Sequence, residues 1–117
     1  MPAVRVPRIY TAHSPQTEVK PMAAYLVVDT LLDNPELYEQ YKLKAKPLVE
    51  QYGGAYLARG GALALKETAL WAPTRLVLVK FPDVATANRF YESPEYQEVL
   101  KISQQSARRT VVVLEGI

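Results

Sequence analysis

Apolar residues gather in two short stretches that lack the polar alternation of a half-solvated strand. Arg75-Leu-Val-Leu-Val-Lys-Phe81 puts Val77, Val79 and Phe81 on one side and Leu76 and Leu78 on the other, and Pro82 stops it. Ala24 to Leu32 follows the same pattern. A strand that is apolar on both sides needs cover on both. Two such strands in so small a chain need more cover than its own helices supply. The pattern therefore predicts a second copy of the chain lying against the sheet.

Between and after these strands the polar pattern predicts helices. Asp33-Asn34-Pro35-Glu36 offers a capping side chain, a proline in the first turn and an acid at the positive end of the helix. The helix carries Leu37, Tyr38, Tyr41, Ala45, Leu48, Val49 and Tyr52 on one side, and Glu39, Gln40, Lys42, Lys46 and Glu50 on the other. Pro47 removes a backbone donor inside it and predicts a kink or break near Leu43–Lys46. Gly53-Gly54 ends the helix. Ala55 to Arg59 is a second strand, interrupted by Gly60-Gly61 as by a bulge or bend, and Ala62 to Thr68 can continue it. Leu70 to Thr74 is a loop.

After the strand Arg75–Phe81, Pro82-Asp83 opens a helix with Val84, Ala87, Phe90 and Tyr91 inward. Ser93-Pro94-Glu95 stops it and starts another, with Tyr96, Val99, Leu100, Ser103 and Ala107 inward. Arg109 to Leu114 is the last strand. The order is βαββαβ with a broken second helix. It predicts an α+β, ferredoxin-like split βαβ fold: one antiparallel four-stranded sheet with helices on one face. Two protomers meeting sheet to sheet would cover the other face in a twofold contact.

The first 21 residues differ from the rest. Prolines at 2, 7, 15 and 21 exclude a helix and a central strand, leaving Val4–Val6 and Ile9-Tyr10 as short edge pieces. We read 1–21 as an N-terminal extension and 22–117 as the domain, with Met22 a natural start for it. Arg5, Arg8 and Lys20 against Glu18 put the whole net charge of +2 in the extension, while the other 11 basic and 11 acidic residues cancel. At 117 residues and 49% hydrophobic, the chain suits one globular domain and not general disorder. With no cysteine, disulfides, thiolate metal sites and a cysteine nucleophile are excluded, and a reducing, cytoplasmic location fits. No basic stripe is interleaved with aromatics, as a nucleic-acid partner would require. No apolar run is long enough for a bilayer, and no signal pattern for secretion is present.

Several short motifs occur together from about Met22 onward. They are Asn34-Pro35-Glu36 with Tyr38 and Tyr41, Tyr52-Gly-Gly54, Arg59-Gly-Gly61, Pro73 with Arg75, Phe81-Pro82, Ser93-Pro-Glu-Tyr-Gln97 and Glu115-Gly116. This set resembles the DUF1330 family, a domain of unknown function within the dimeric α+β barrel superfamily. That superfamily also includes small monooxygenases, muconolactone isomerase-like enzymes, polyketide cyclases and haem-degrading enzymes. The resemblance implies the fold and a homodimer through the sheet face, and no particular chemistry. Many relatives carry glutamate where this chain has Lys80, and arginine where it has Ser103. A carboxylate gripped by that arginine elsewhere has no such grip at Ser103.

The residues leave a narrow choice of chemistry. His13 is the only histidine and lies in the extension, so the domain has no imidazole for a haem site or a serine–histidine pair. No acid and histidine spacing suits a metal, and the glycine pairs lack the phosphate-binding pattern. No cofactor is implied. Arg59, a fixed cation beside a bend, can grip a carboxylate or polarise a carbonyl oxygen; it can equally be a structural ion pair. Asp29 would act as a base if burial raised its pKa; the alternative is an exposed strand end or turn acid. Tyr38, Tyr41, Tyr91 and Tyr96 fall on inward helix faces, as pocket hydroxyls or as core rings. Ser103 is a pocket hydroxyl or a helix back-bond. Trp71, on its loop, suits a lid or a dimer contact.

Two uses of such a site follow. One is a cofactor-independent enzyme acting on a small organic molecule in a cleft between sheet and helices, with Arg59 orienting an oxygen and Tyr41 or Asp29 moving a proton. A cofactor-free monooxygenase is a variant of it. The other is a non-catalytic ligand-binding or structural dimer. The first requires Arg59 and at least one tyrosine hydroxyl to share a cavity. The second leaves Arg59 facing water or a surface carboxylate.

Overall fold

A computed structural model describes residues 22–117. The predicted extension and His13 lie outside the described residues. In chain order the elements are β1 (Ala24–Leu32), α1 (Pro35–Gln51), β2 (Ala55–Arg59), β3 (Leu76–Phe81), α2 (Val84–Glu92), α3 (Pro94–Ser106) and β4 (Ala107–Glu115). The four strands form one antiparallel sheet in the order β2-β3-β1-β4. This is the ferredoxin-like arrangement that the element order predicts, with the second helix broken into α2 and α3.

Strand alternation decides which face is buried. Ala24, Leu26, Val28 and Thr30 on β1 share a face with Val77, Val79 and Phe81 on β3, and all are buried. The register places Leu26 beside Val79 and Val113, and Val28 beside Val77 and Val111. Tyr38, Tyr41, Ala45 and Val49 of α1 pack onto that face together with Ala87, Phe90, Tyr96 and Leu100 from α2 and α3. The opposite face is also apolar, and no described element covers it. Tyr25, Val27, Leu76 and Leu78 are half-buried there, while Val112 and Leu114 are 50% and 58% exposed. The need for outside cover, visible in the sequence, therefore persists in the folded protomer.

Three boundaries differ from expectation. α1 runs through Pro47 without the expected break. Tyr41 and Ala45 before the proline and Val49 after it are buried in one core, so packing holds both halves in line. The carbonyl that loses its partner belongs to Leu43, on the exposed side, where water can reach it. Ala62 to Thr68 does not continue β2. The Gly60 N–H donates to the Leu76 carbonyl (2.8 Å) where β3 begins, and the ladder has no further partner strand. Residues 61–72 are exposed as a result. β4 starts at Ala107, two residues before its expected start, directly after α3.

Candidate functional site

Two helix caps set the positions of the central tyrosines. At the start of α1 the Asn34 side chain accepts from the Leu37 N–H (3.1 Å), Pro35 fills the first turn and Glu36 faces the positive helix end. Tyr38 and Tyr41, one turn apart, then face the sheet, with ring centroids 4.9 Å apart. Ser93 serves two helices at once. Its hydroxyl donates to the Phe90 carbonyl at the end of α2 (2.8 Å) and accepts from the Tyr96 N–H at the start of α3 (3.2 Å). Tyr96 is thereby fixed in the first turn of α3, 1% exposed, with its hydroxyl aimed at Tyr41.

The third member comes from β4. Arg109, Val111 and Val113 alternate onto the helix-covered face. Arg109 Nη1 donates to the Tyr41 hydroxyl (2.9 Å) and Nη2 donates to the Tyr96 hydroxyl (3.0 Å). The two hydroxyl oxygens are 2.7 Å apart, so one phenol donates to the other. That geometry uses a single phenolic proton. The second phenolic proton has no acceptor among the described residues and is left to whatever fills the adjoining cavity.

That cavity encloses about 40 Å³ between the sheet and α1. Tyr38, Tyr41, Tyr56 and Tyr96 line it together with Arg59, Arg75 and Arg109. Each arginine lies near a tyrosine ring: Arg59 4.4 Å from the Tyr56 centroid, Arg75 5.9 Å from Tyr38 and Arg109 5.0 Å from Tyr41. Lys42, also in the lining, is paired with Glu39 at 2.9 Å. No carboxylate lines the cavity, and none of the three arginines has an ion pair among the described residues.

Electrostatics keep the phenols protonated. Burial pushes the Tyr41 hydroxyl far up from its ordinary pKa, Tyr96 pushes it further, and Arg109 only partly opposes this. Burial also raises Tyr96, against the opposing effects of Arg109 and the Tyr41 hydrogen bond. Both are therefore neutral donors near pH 7, and Arg109 is a permanent cation. Three donor groups converge on one place with no base among them.

The predicted residues divide between the two faces of the sheet. Arg59, Tyr38, Tyr41 and Tyr96 share the cavity. Tyr91 and Ser103 line a neighbouring groove on the far side of Arg109. Asp29 and Trp71 are elsewhere, since the parity of β1 turns Asp29 away from Val28 and Thr30. Its carboxylate accepts from the Trp71 indole (2.8 Å) and from the Thr74 and Arg75 N–H groups (2.9 and 3.0 Å), and so ties down the loop before β3. Burial alone would raise its pKa, as the sequence suggested. The N–H groups of Arg75 and Thr74, with the Trp71 indole and the Thr74 hydroxyl, outweigh burial and hold it below the usual carboxylate range. A depressed pKa does not suit the role of base that the sequence suggested for Asp29. Trp71 is bound to this loop anchor and touches no part of the cavity. Arg109, Arg75 and Tyr56 were not among the candidate site residues, although Arg75 stands in the motif set. The two-residue period running from Val113 and Val111 back to Arg109 is the signal for the first.

The fold and this cation-lined cavity define an α+β, ferredoxin-like protein with a small polar-headed pocket under its helices. The chain belongs to the DUF1330 family, a domain of unknown function, which matches residues 23–117. Among solved structures it is similar to a protein of unknown function from Rhodopseudomonas palustris, with TM-score 0.67 and 18% identity over 82% of this chain and 83% of that one. It is also similar to SnoaB, a cofactor-independent oxygenase from Streptomyces nogalater (TM-score 0.59, 8% identity, 80% of this chain and 91% of that one). A dimeric protein of unknown function with a ferredoxin-like fold from Bacteroides fragilis matches with TM-score 0.53 and 13% identity, over 80% of this chain and 95% of that one. At these identities the similarity shows the fold alone. No curated protein matches the chain. Among the described residues no helix is long and apolar enough to cross a membrane.

The Asp29 anchor gives a signed pH dependence. Its folded pKa is depressed, so its contribution to stability is present above the unfolded value of about 3.9 and is lost as pH falls through the lower folded value. Asp29→Asn should lower the melting temperature at pH 7, and the gap from the parent should close as the pH drops below 4. Thermal melts at a series of pH values check this; a gap independent of pH contradicts it.

Proposed function

We propose that the protein is a cofactor-independent enzyme that acts on a small organic molecule by stabilising negative charge on one of its oxygens. The observation that carries this is the unshared phenolic proton of the Tyr41–Tyr96 pair, held beside a guanidinium at a small cavity. A carbonyl or phenol oxygen placed there meets a neutral O–H and a fixed cation. Both interactions strengthen as the oxygen becomes an enolate or phenolate. Tyr41 and Tyr96 hold or deliver a proton, Arg109 supplies the positive charge, and Tyr38 closes the wall.

The lining has no carboxylate and no imidazole among the described residues. Proton removal would then fall to solvent or to the substrate's own acidity. This favours substrates that ionise readily once their oxygen is stabilised. A phenolate held in this way is electron-rich enough to meet oxygen directly, which is the monooxygenase variant. The same lack of a base is the one observation that favours binding without turnover.

The chain works as a homodimer joined through its open sheet face, where Val112 and Leu114 stand exposed beside Val27 and Tyr25 of β1, with Leu76 and Leu78 one strand further on. The dimeric Bacteroides fragilis protein of the same fold supports this. The absence of cysteine from all 117 residues supports a cytoplasmic location.

The charge-stabilising role is checked with acetylacetone, whose enolate is visible by carbon-13 NMR. Bound to the parent, its apparent pKa should fall by about 1 unit or more. Bound to Arg109→Gln it should stay at its free value. An unchanged pKa in the parent would refute the role. The dimer is checked by sedimentation at micromolar concentration. The parent should sediment as a dimer and Val112→Asp/Leu114→Asp as a monomer; a monomeric parent would contradict the sheet-face contact.

A further inference from the structure

We infer that the molecule this cavity takes is a short oxo acid, with its carbonyl oxygen on the Tyr41–Tyr96–Arg109 cluster and its carboxylate on Arg59 and Arg75. The inference rests on the oxyanion role given above to the inner cluster and extends it to substrate class. Arg109 and its two phenols account for one ligand oxygen. They leave Arg59 and Arg75 unexplained. These are two further guanidinium groups in the same lining, neither with a carboxylate among the described residues.

Arg59 and Arg75 are held in place and not neutralised. Gly60 follows Arg59 directly and lies opposite the start of β3, where its N–H donates to the Leu76 carbonyl. A Cβ at Gly60 would stand 2.8 Å from Arg75 Nε and 3.0 Å from its Cζ and Nη2. The Arg75 guanidinium therefore lies against a surface that only glycine provides, and the backbone there is also left-handed, with φ +74°. Arg59 rests on the Tyr56 ring and Arg75 near the Tyr38 ring. An aromatic face orients a cation while leaving its N–H groups free for a second partner. Two guanidinium forks lining one small cavity suit a carboxylate, which accepts two parallel N–H bonds. Both are half-buried, so an anionic ligand gains their attraction where a neutral one does not.

Size limits the rest of the molecule. A space of about 40 Å³ holds roughly three water molecules, at 10–15 Å³ of such space each. It admits a fragment of a few heavy atoms and is far smaller than the several hundred Å³ of a drug-sized pocket. Both oxygen-holding groups lie in that one space, so carboxylate and carbonyl belong to one short carbon skeleton.

The test is calorimetric titration of the full chain with pyruvate, acetoacetate and levulinate, which separate the two groups by increasing numbers of carbons. Acetate, acetone and inorganic phosphate are the controls. At least one oxo acid should bind about tenfold or more tighter than acetate and acetone. Arg59→Gln and Arg75→Gln should each bring that oxo acid toward the acetone level, with Arg75→Lys intermediate because it keeps the charge and loses the fork. The acetylacetone pKa shift should shrink in each Gln variant but not vanish, because Arg109 remains, whereas in Arg109→Gln it is lost. If acetate or phosphate binds as tightly as every oxo acid, or if the Gln variants bind them like the parent, the inference is overturned while the inner cluster stands. Loss of the acetylacetone shift in the parent would instead remove the inner cluster's role.

Discussion

The structure depends on a guanidinium that two neutral phenols hold and that no carboxylate neutralises among the described residues. A buried arginine ordinarily sits opposite an acid, because desolvating an unpaired charge costs several kcal/mol. Arg109 has hydroxyl oxygens at 2.9 and 3.0 Å instead. Hydroxyls satisfy its N–H groups without cancelling its charge, and burial keeps those hydroxyls from ionising to do so. The positive potential is therefore retained at a point that a small molecule can reach. Replacing either phenol by an acid would give a tighter ion pair and cancel that potential.

Holding that arrangement requires three elements far apart in sequence. Tyr41 comes from α1, Tyr96 from α3 and Arg109 from β4, and each is set by a short local device. Asn34 starts α1, Ser93 ends α2 and starts α3, and the abrupt passage from Ser106 into β4 gives Arg109 its parity. The aromatic packing of Phe81 and Phe90 (5.4 Å) and of Phe90 and Tyr96 (4.5 Å) joins the helices to the sheet beneath. The outer face of the sheet plays no part in the cavity. Asp29 and Trp71 organise a loop on that side, and the exposed apolar residues there are free to meet another chain.

Much of this was legible because it is local. Alternation in β1 and β3, the Asn-Pro-Glu and Ser-Pro-Glu starts, and the helical spacing of Tyr38 with Tyr41 and of Tyr96 with Leu100 are all written within a few residues. What escaped depended on parity or on packing. Asp29 looked like a buried base because it interrupts an apolar run. Counting from Leu26 and Val28 in steps of two shows that it faces the other way. Arg109 looked like the charged end of a strand, and the same counting from Val111 places it inside. Pro47 looked like a break because its local cost is plain, whereas the packing of Ala45 and Val49 that overrides it is tertiary. Arg75 joins Arg59 in one lining only through the pairing of β2 with β3, which no periodicity encodes.

The property on which the rest depends is the charge of Arg109, uncompensated among the described residues, which should draw negatively charged oxygen to it. It is measured most directly by the unfolding free energy as a function of formate concentration, with Arg59 and Arg75 both changed to Gln so that only the inner cation remains. With Arg109 present, stability should rise along a one-site saturating curve, reaching about 2.7 kcal/mol at a hundred times the dissociation constant. With Arg109→Met it should not respond. Equal responses in the two proteins, or none in either, would mean that the charge is already balanced within the fold.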